Sequence, residues 1–130
     1  MSHARPVGLL VTHGLLGREM IRTVESILGA QEDVIIVSNS GLSADGLTQA
    51  IEDGVRDVPP ETPIVLFSDL AAGSCGIAAR RATVGHRRLH RITGINLPML
   101  LEFFHYRDTL PLEELLPRME TKGKAGIVVL

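Results

Sequence analysis

The chain has 130 residues, 45% of them hydrophobic and 22% charged, and this composition predicts one globular domain over residues 1–130. It excludes a disordered protein, and the apolar runs are only strand-sized, so no segment is expected to insert into a membrane. A net charge of −2 and an aromatic content of 3% provide neither a general attraction to nucleic acid nor platforms for stacking bases, so no nucleic-acid partner is expected.

The first predicted strand, residues 7–11, ends abruptly in Thr12-His13-Gly14. A short apolar run between proline and glycine is typical of a buried strand in a parallel sheet. Residues 17–28 carry apolar side chains at helical spacing and predict the helix that crosses over to the next strand. The polar stretch before the first strand has the features of neither a signal peptide nor a transit peptide, which predicts a cytoplasmic protein.

The second predicted strand, residues 34–37, is rich in β-branched side chains, and the polar residues 38–41 end it. A helix begins at residues 42–46, with Ser43 as its candidate N-cap, and the prolines within residues 58–60 break it. This strand and helix repeat the order of the first pair, as expected of an alternating α/β chain.

The third predicted strand, residues 63–67, is a continuous apolar run that is followed by Ser68-Asp69. Small residues at 71–76 form a turn in which the backbone can come close to another group. Residues 77–84 then continue as a helix.

The rest of the chain predicts a fourth, less apolar strand, two helices and an apolar tail. These elements cover residues 88–95, 96–104, 112–119 and 124–130. An unpaired strand promotes aggregation, so the tail either closes the sheet edge or is exchanged with another subunit in a dimer, and exchange is the outcome we expect. The alternation of strands and helices predicts a flavodoxin-like, doubly wound α/β fold with a mainly parallel sheet in the order 2-1-3-4.

In that strand order the first and third strands are neighbours, so His13 and Asp69 face each other at the topological switch, where open α/β sheets build their sites. An aspartate that accepts a proton from one ring nitrogen fixes the histidine tautomer and leaves the other nitrogen with a free lone pair. His13 could then act as a nucleophile, a base or a metal ligand. Alternatively, His13 only ties its turn together and Asp69 caps the next turn, but the matching positions of the two favour a catalytic role.

The turn at Gly73-Ser74 leads into a helix and presents backbone amides and a hydroxyl, which together predict an anion site. Thr12 and Ser74 are candidates for donating to phosphate oxygens. The alternatives are structural, with Ser74 as an N-cap and Thr12 as the end of a strand. Cys75 either has a lowered pKa near the helix start or serves as small packing material.

Several familiar signatures are missing from the sequence. It contains neither a GxxxxGK[ST] phosphate loop nor a GxGxxG nucleotide motif, and no acidic cluster follows the first strand to hold magnesium. The other histidines show no ligand spacing with His13, and the single cysteine lacks a CxxC partner. We therefore expect neither a metal nor a cofactor.

Cationic side chains crowd residues 80–91, in spite of the net negative charge of the chain. We interpret this basic segment first as a solvated helix face. A docking surface for an acidic partner is the second interpretation, and a nucleic-acid contact is the third.

Three stretches of the sequence, taken together and in order, resemble one family. They are Val11-Thr12-His13-Gly14, Phe67-Ser68-Asp69-Leu70 with Gly73-Ser74, and Gly94-Ile95-Asn96-Leu97-Pro98-Met99-Leu100. The resemblance is to the enzyme IIA component of the mannose-type sugar phosphotransferase system, and it runs over nearly the whole chain. Many members of that family read D-x-x-G-G-S-P after the third strand, whereas this chain has Ala72 for the first glycine and Cys75 for the proline.

The resemblance implies a cytoplasmic phosphocarrier of the mannose/fructose/sorbose type that needs no cofactor. His13 would take a phosphoryl group from the phosphocarrier HPr and pass it to an enzyme IIB domain, and Asp69 would orient the ring. As a hypothesis, Thr12, Gly73 and Ser74 donate to the phosphoryl oxygens. The family also forms homodimers by exchanging a C-terminal strand, which agrees with the apolar tail.

Two further functions stay open. One is a regulatory protein of the same fold whose phosphorylation state controls a non-transport partner, which the basic segment and the lone domain would fit. The other is a small hydrolase that uses His13 and Asp69. Acceptance of phosphate from HPr would argue against the hydrolase, and only onward transfer to an enzyme IIB domain separates transport from regulation.

Overall fold

The computed structural model describes residues 5–130, and residues 1–4, most of the polar stretch before the first strand, lie outside the described residues. Strands and helices alternate through most of the described chain, in the order β1 (Val7–Thr12), α1 (Leu16–Leu28), β2 (Val34–Ser38), α2 (Ala44–Val55), β3 (Ile64–Ser68), α3 (Gly73–Thr83), β4 (Leu89–Thr93), α4 (Leu97–Tyr106) and α5 (Leu112–Ala125). The four strands form one parallel sheet in the order β2-β1-β3-β4. This topology confirms the predicted flavodoxin-like α/β fold.

Helices cover both faces of the sheet and bury its two central strands. Every residue of β1 and β3 is buried, which explains why these strands appear in the sequence as continuous apolar runs. Leu9 and Leu66 pack with α2 and α3 on one face, and Leu10 and Phe67 pack with α1, α4 and α5 on the other. Among residues 5–130, none of the helices has both the length and the apolar character that crossing a bilayer requires.

The register of the sheet brings three strand ends to one level. Thr12 of β1 pairs with Ser38 of β2, and Val11 pairs with Ser68 of β3. The residues that directly follow these strands therefore lie next to one another at the carboxyl edge of the sheet. This is the edge at which α/β folds of this kind place their ligands.

Helix α3 begins earlier than the sequence predicts. Its first residue is Gly73, whereas the sequence pattern predicts a turn over residues 71–76 and a helix that starts at residue 77. The small residues at these positions suggest a turn, but glycine is needed at position 76 for close packing. A Cβ at that position would lie 2.3 Å from the Ala71 carbonyl oxygen. The small side chains permit close packing at the start of a helix.

Helix α5 continues to Ala125, beyond the predicted end at residue 119. The extension is stabilised by α4, since Asn96 donates its side-chain amide to the Gly123 carbonyl and Met99 packs where a Cβ of Gly123 would be. The predicted strand at 124–130 is therefore wrong for its first two residues. Residues 127–130 are exposed and pair with no strand of the described chain. Their exchange between subunits stays a prediction.

Candidate functional site

His13 and Asp69 lie side by side at the carboxyl edge of the sheet, where the strand order predicted them. Nδ1 of the His13 ring lies 2.8 Å from Oδ2 of Asp69, and the His13 backbone N–H donates to the same oxygen over 3.0 Å. The other carboxylate oxygen, Oδ1, accepts from the Leu70 N–H at 3.0 Å. Asp69 is thus held by three donors, and its side chain is 11% exposed, against 42% for His13.

Asp69 is ionised in this arrangement. Burial disfavours the charged form, but the hydrogen bonds from the His13 backbone and ring, the charge of the ring and the Leu70 N–H together outweigh it, so the pKa of Asp69 is lowered from its ordinary value. Because a carboxylate can only accept, the hydrogen between the two side chains belongs to Nδ1 of His13. In the neutral form of the ring, Nε2 then carries the lone pair, and it forms no hydrogen bond within residues 5–130.

The first turn of α3 lies beside this pair. Sγ of Cys75, a ring nitrogen of His13 and a carboxylate oxygen of Asp69 all lie within 4.8 Å of one another. Gly73 starts the helix with a φ of +78°, a conformation that favours glycine, and the N-cap residue Ala72 makes no side-chain capping bond. The first N–H groups of α3 therefore have no side-chain cap, and the positive end of the helix dipole is available to an anion.

The structure decides between the alternative roles that the sequence leaves open for residues of the α3 start, namely Ala72, Ser74 and Cys75. Ser74 is half-buried within the first turn of α3 and is not its N-cap, which is Ala72. Ala72 has a φ of −115°, so alanine fits where many family members have glycine, and the positive φ is confined to Gly73. Cys75 is fully buried. Its pKa is raised, first by burial and then by the charge of Asp69, which contradicts the lowered pKa and favours the packing role.

Thr12 is placed differently from the expected phosphate contact. Its side chain is buried, and Oγ1 accepts the Gly17 N–H over 2.7 Å, which links the end of β1 to the first turn of α1. A Cβ on Gly17 would lie 2.7 Å from the same oxygen, so the two residues fit closely together. This geometry favours the structural alternative, in which Thr12 fixes the turn below His13.

His13, Asp69 and Cys75 are the residues that could ligate a metal ion at this edge. Two of their potential ligand atoms, Nδ1 of His13 and Oδ2 of Asp69, are hydrogen-bonded to each other, and a neutral thiol is a poor ligand. The structure thus gives no reason to add a metal to the chemistry, and its absence stays a prediction.

Two residues at the end of β2, Ser38 and Asn39, also reach the loop that carries His13. Both form side-chain hydrogen bonds with Gly14. From the sequence pattern alone, residues 38–41 indicate only the end of a strand. The sequence does place them at the end of a strand that neighbours β1, as it does Asp69. Only the register of the β1–β2 pairing, however, shows that they reach Gly14.

Exposed leucines lie close in sequence to the site on three loops. Leu15 and Leu16 follow His13, Leu70 follows Asp69, and Leu42 follows the end of β2. Leu15 is 66% exposed and Leu70 is 56% exposed. We call these four residues the apolar rim; exposed apolar side chains on segments that lead away from a reactive group suit a surface that binds other proteins.

The basic segment, residues 80–91, is not one uniform surface. Arg88 donates to the carbonyl groups of Val55, Val58 and Pro59 and so caps the end of α2. Arg81 pairs with Asp45 at 2.7 Å. Part of the positive charge therefore serves the packing of α2 against its neighbours. Because α3 ends at Thr83, the segment as a whole is not one solvated helix face, and the docking and nucleic-acid interpretations stay untested predictions.

Replacing Gly76 with alanine is expected to destabilise the protein by roughly 1–3 kcal/mol, because the new Cβ would lie 2.3 Å from the Ala71 carbonyl oxygen and force the first turn of α3 to move. Denaturant unfolding measures this loss. Gly46→Ala in α2 is the matched control, since its Cβ would meet nothing closer than 3.5 Å, and we expect it to stabilise the protein by about 0.5–1 kcal/mol. Equal effects of the two substitutions would contradict the close contact.

Comparison with known proteins places these observations in a family. The family model described as "PTS system fructose IIA component", where PTS denotes the phosphotransferase system, matches residues 8–120. The mannose-specific EIIAB component of the PTS from Escherichia coli (strain K12) is 29% identical over 121 residues, which is 92% of this chain and 38% of that protein. The fructose-specific EIIA component from Bacillus subtilis (strain 168) is 26% identical over 104 residues, 79% of this chain and 71% of that protein.

Solved structures agree with the fold. A phosphotransferase system component EIIA from Streptococcus agalactiae has a TM-score of 0.84 at 24% identity and covers 95% of both chains. A phosphotransferase permease from Klebsiella pneumoniae, described as putative in its own name, has a TM-score of 0.87 at 23% identity, over 99% of this chain and 93% of that one. Because the family model extends over most of the sequence, the chain belongs to the PTS system fructose IIA component family, the enzyme IIA of the mannose type.

Proposed function

We propose that this chain is a phosphoryl carrier of a sugar phosphotransferase system, with Nε2 of His13 as the atom that is phosphorylated. HPr would be the phosphoryl donor and an enzyme IIB domain the acceptor. The observation that carries the proposal is the 2.8 Å contact between Nδ1 of His13 and Oδ2 of Asp69, which places the hydrogen of the neutral ring on Nδ1 and the lone pair on Nε2 of a half-exposed side chain. The proposal includes a cytoplasmic location and a single carrier domain over residues 1–130.

The proposed transfer is a single displacement at phosphorus between two histidine nitrogens. The lone pair of Nε2 attacks the phosphorus of the donor's phosphohistidine, a new N–P bond forms in line with the old one, and the donor nitrogen leaves with its electron pair. A His13 ring that carries both the phosphoryl group on Nε2 and the hydrogen on Nδ1 is cationic. Asp69 stabilises that charge, as the aspartate of a catalytic triad stabilises its imidazolium.

The phosphoryl oxygens require donors, and the first turn of α3 supports this role. Its N–H groups have no side-chain cap, and Gly73 and Ser74 stand at the start of the helix. A helix N-terminus favours negative charge through both its free N–H groups and its dipole. Since the Thr12 hydroxyl is buried against Gly17, we assign the oxygen contacts to Gly73 and Ser74 alone.

The apolar rim suits the two protein contacts that a carrier makes in turn. Donor and acceptor must each bring a residue within transfer distance of Nε2, so both would cover Leu15, Leu16, Leu42 and Leu70. A surface that is shared by successive partners binds one at a time. This arrangement excludes water from the transfer without any moving part of the chain itself.

The proposal is tested by incubating the purified chain with phosphoenolpyruvate, enzyme I and HPr and measuring intact mass. We expect the mass of one phosphoryl group to be added and to be lost in acid, as is usual for a phosphorus–nitrogen bond. Transfer from the labelled chain to an enzyme IIB domain would then identify the transport role. A labelled chain that transfers to no enzyme IIB domain would support the regulatory alternative instead.

We further propose that the carrier is a homodimer in which residues 127–130 of each copy pair with the open edge of the sheet in the other copy. The tail is exposed and apolar, and β4 pairs only with β3 among the described strands, so its outer edge is open. In sedimentation experiments we expect a dimer for the full chain and a monomer for a chain that ends at Gly126. A monomeric full chain would contradict this proposal and leave the phosphoryl transfer unaffected.

A further inference from the structure

We propose that Ser38 and Asn39 are positioning residues for His13, acting through Gly14. This inference rests on the proposed phosphoryl transfer, because it assigns a role in that reaction. Asp69 holds His13 from β3, on one side of β1. Ser38 and Asn39 hold the next residue from β2, on the other side.

The contacts from β2 engage both polar groups of Gly14. Oδ1 of Asn39 accepts the Gly14 N–H over 3.0 Å, and Oγ of Ser38 donates to the Gly14 carbonyl over 2.8 Å. The Asn39 backbone N–H also donates to the Thr12 carbonyl at 3.1 Å, which continues the sheet pairing past the end of the strands. The β2 strand thus clamps the chain immediately before and after His13.

The clamp completes the fixation of the His13 loop. The His13 N–H is bound by Asp69, and the His13 carbonyl accepts the Leu16 N–H at 3.2 Å. With the two bonds to Gly14, every backbone polar group of two consecutive residues has a partner. Such complete pairing is unexpected for an exposed loop, where water can satisfy the same groups.

The loop needs this clamp because Gly14 is its weakest point. Gly14 is exposed, has a φ of +55°, and a Cβ added to it would meet no atom within 4 Å. A glycine in open space has more backbone freedom than any other residue, so packing does not hold the peptide that follows His13. The two side chains of β2 supply that restraint, and a loop displacement of about 1 Å at a reacting centre can reduce a transfer rate by roughly 100-fold.

The test compares four variants of the full chain. Asn39→Ala removes the acceptor for the Gly14 N–H, and Ser38→Ala removes the donor to its carbonyl. Ser38→Thr restores a hydroxyl on a residue type that suits a strand. Ser40→Ala is the matched control, because the Ser40 hydroxyl contacts that of Ser38 but makes no bond with Gly14. The side chains of Asn39 and Ser38 are half-buried and bonded to the Gly14 backbone, and in this proposal they act on the position of His13 and not on the binding of the donor, so their loss should leave the affinity for HPr unchanged.

We expect Asn39→Ala and Ser38→Ala to lower the rate at saturating phosphorylated HPr by roughly 10-fold to 100-fold, with little change in KM. Ser38→Thr should recover most of the rate, and Ser40→Ala should equal the wild type. A rate that is unchanged in Asn39→Ala and Ser38→Ala, while the wild type is labelled, would overturn the inference and leave the proposed function standing.

A second measurement does not depend on phosphorylation. Amide hydrogen exchange at His13 reports how firmly the loop is held, and we expect Asn39→Ala to accelerate it at least 10-fold without a change in the exchange of core strands. Equal exchange in Asn39→Ala and the wild type would overturn the clamp, whatever the transfer assay shows. Conversely, faster exchange in a chain that HPr cannot label would support the clamp and contradict the proposed function.

Discussion

Replacing His13 with alanine is expected to abolish phosphorylation by phosphoenolpyruvate, enzyme I and HPr, while the protein stays folded. Among the described residues of the site, the ring is the group that offers a nitrogen lone pair, on Nε2. Asp69 is 11% exposed, and both of its carboxylate oxygens keep backbone donors when the ring is removed, so we do not expect it to accept the phosphoryl group in place of His13. The neutral thiol of Cys75 is buried, so it offers no substitute nucleophile. Intact mass spectrometry of the variant should show no added phosphoryl group under conditions that label the wild type completely.

The same substitution should have only a modest effect on stability. The His13 side chain is 42% exposed and adds nothing to the core, so its main contribution is the hydrogen bond to Asp69. The loss of that bond is expected to cost about 1–2 kcal/mol, because the Asp69 carboxylate keeps the backbone donors from His13 and Leu70. Circular dichroism and denaturant unfolding would separate this small loss from a failure to fold.

His105→Ala is the matched control for this experiment. It removes an imidazole from the exposed side of α4, away from the carboxyl edge, and should leave the labelling unchanged. A phosphoryl group that persists on His13→Ala, or that disappears from His105→Ala, would show that His13 is not the acceptor. In that case the His13–Asp69 contact would be a structural tie between β1 and β3.

The fold and the central pair could be predicted from the sequence because both follow from local patterns. Continuous apolar runs mark β1 and β3, which are buried on both faces, and the residues that end such strands must lie at one edge of a parallel sheet. His13 and Asp69 needed no more than the strand order. The helix boundaries were harder, since Gly76 and Gly123 indicate flexibility in the sequence but pack closely inside helices.

The remaining parts of the site depend on tertiary contacts that a single sequence does not display. Thr12 has the right residue type to contact a phosphate, and only the 2.7 Å bond from the Gly17 N–H assigns its hydroxyl to the turn. Asn39 is an ordinary turn residue until the register of β1 and β2 brings it to Gly14. Cys75 could have been activated by the helix start, but burial and, after it, the charge of Asp69 raise its pKa instead.

Replacing Asp69 with asparagine is expected to slow phosphoryl transfer by roughly 100-fold to 10,000-fold, although the side chain keeps its shape. The carboxylate accepts from three donors, and two of these, the His13 N–H and ring Nδ1, share one oxygen. An amide has one oxygen and one NH₂ group, so it cannot accept hydrogen bonds from both His13 and Leu70. If the NH₂ group faces Leu70, two donors oppose each other, and the negative charge that stabilises the phosphorylated ring is still lost.

If the NH₂ group of the asparagine faces His13 instead, it donates to Nδ1 and moves the ring hydrogen to Nε2, which removes the lone pair that attacks phosphorus. Both orientations of the amide therefore impair the same step. The measurement is the single-turnover rate at saturating phosphorylated HPr, with Asp45→Asn as the control, because Asp45 is exposed and within residues 5–130 its side chain pairs only with Arg81. A rate for Asp69→Asn within two-fold of the wild type would reduce Asp69 to a turn residue, since a carboxylate that orients and neutralises the ring cannot be replaced without a loss of rate.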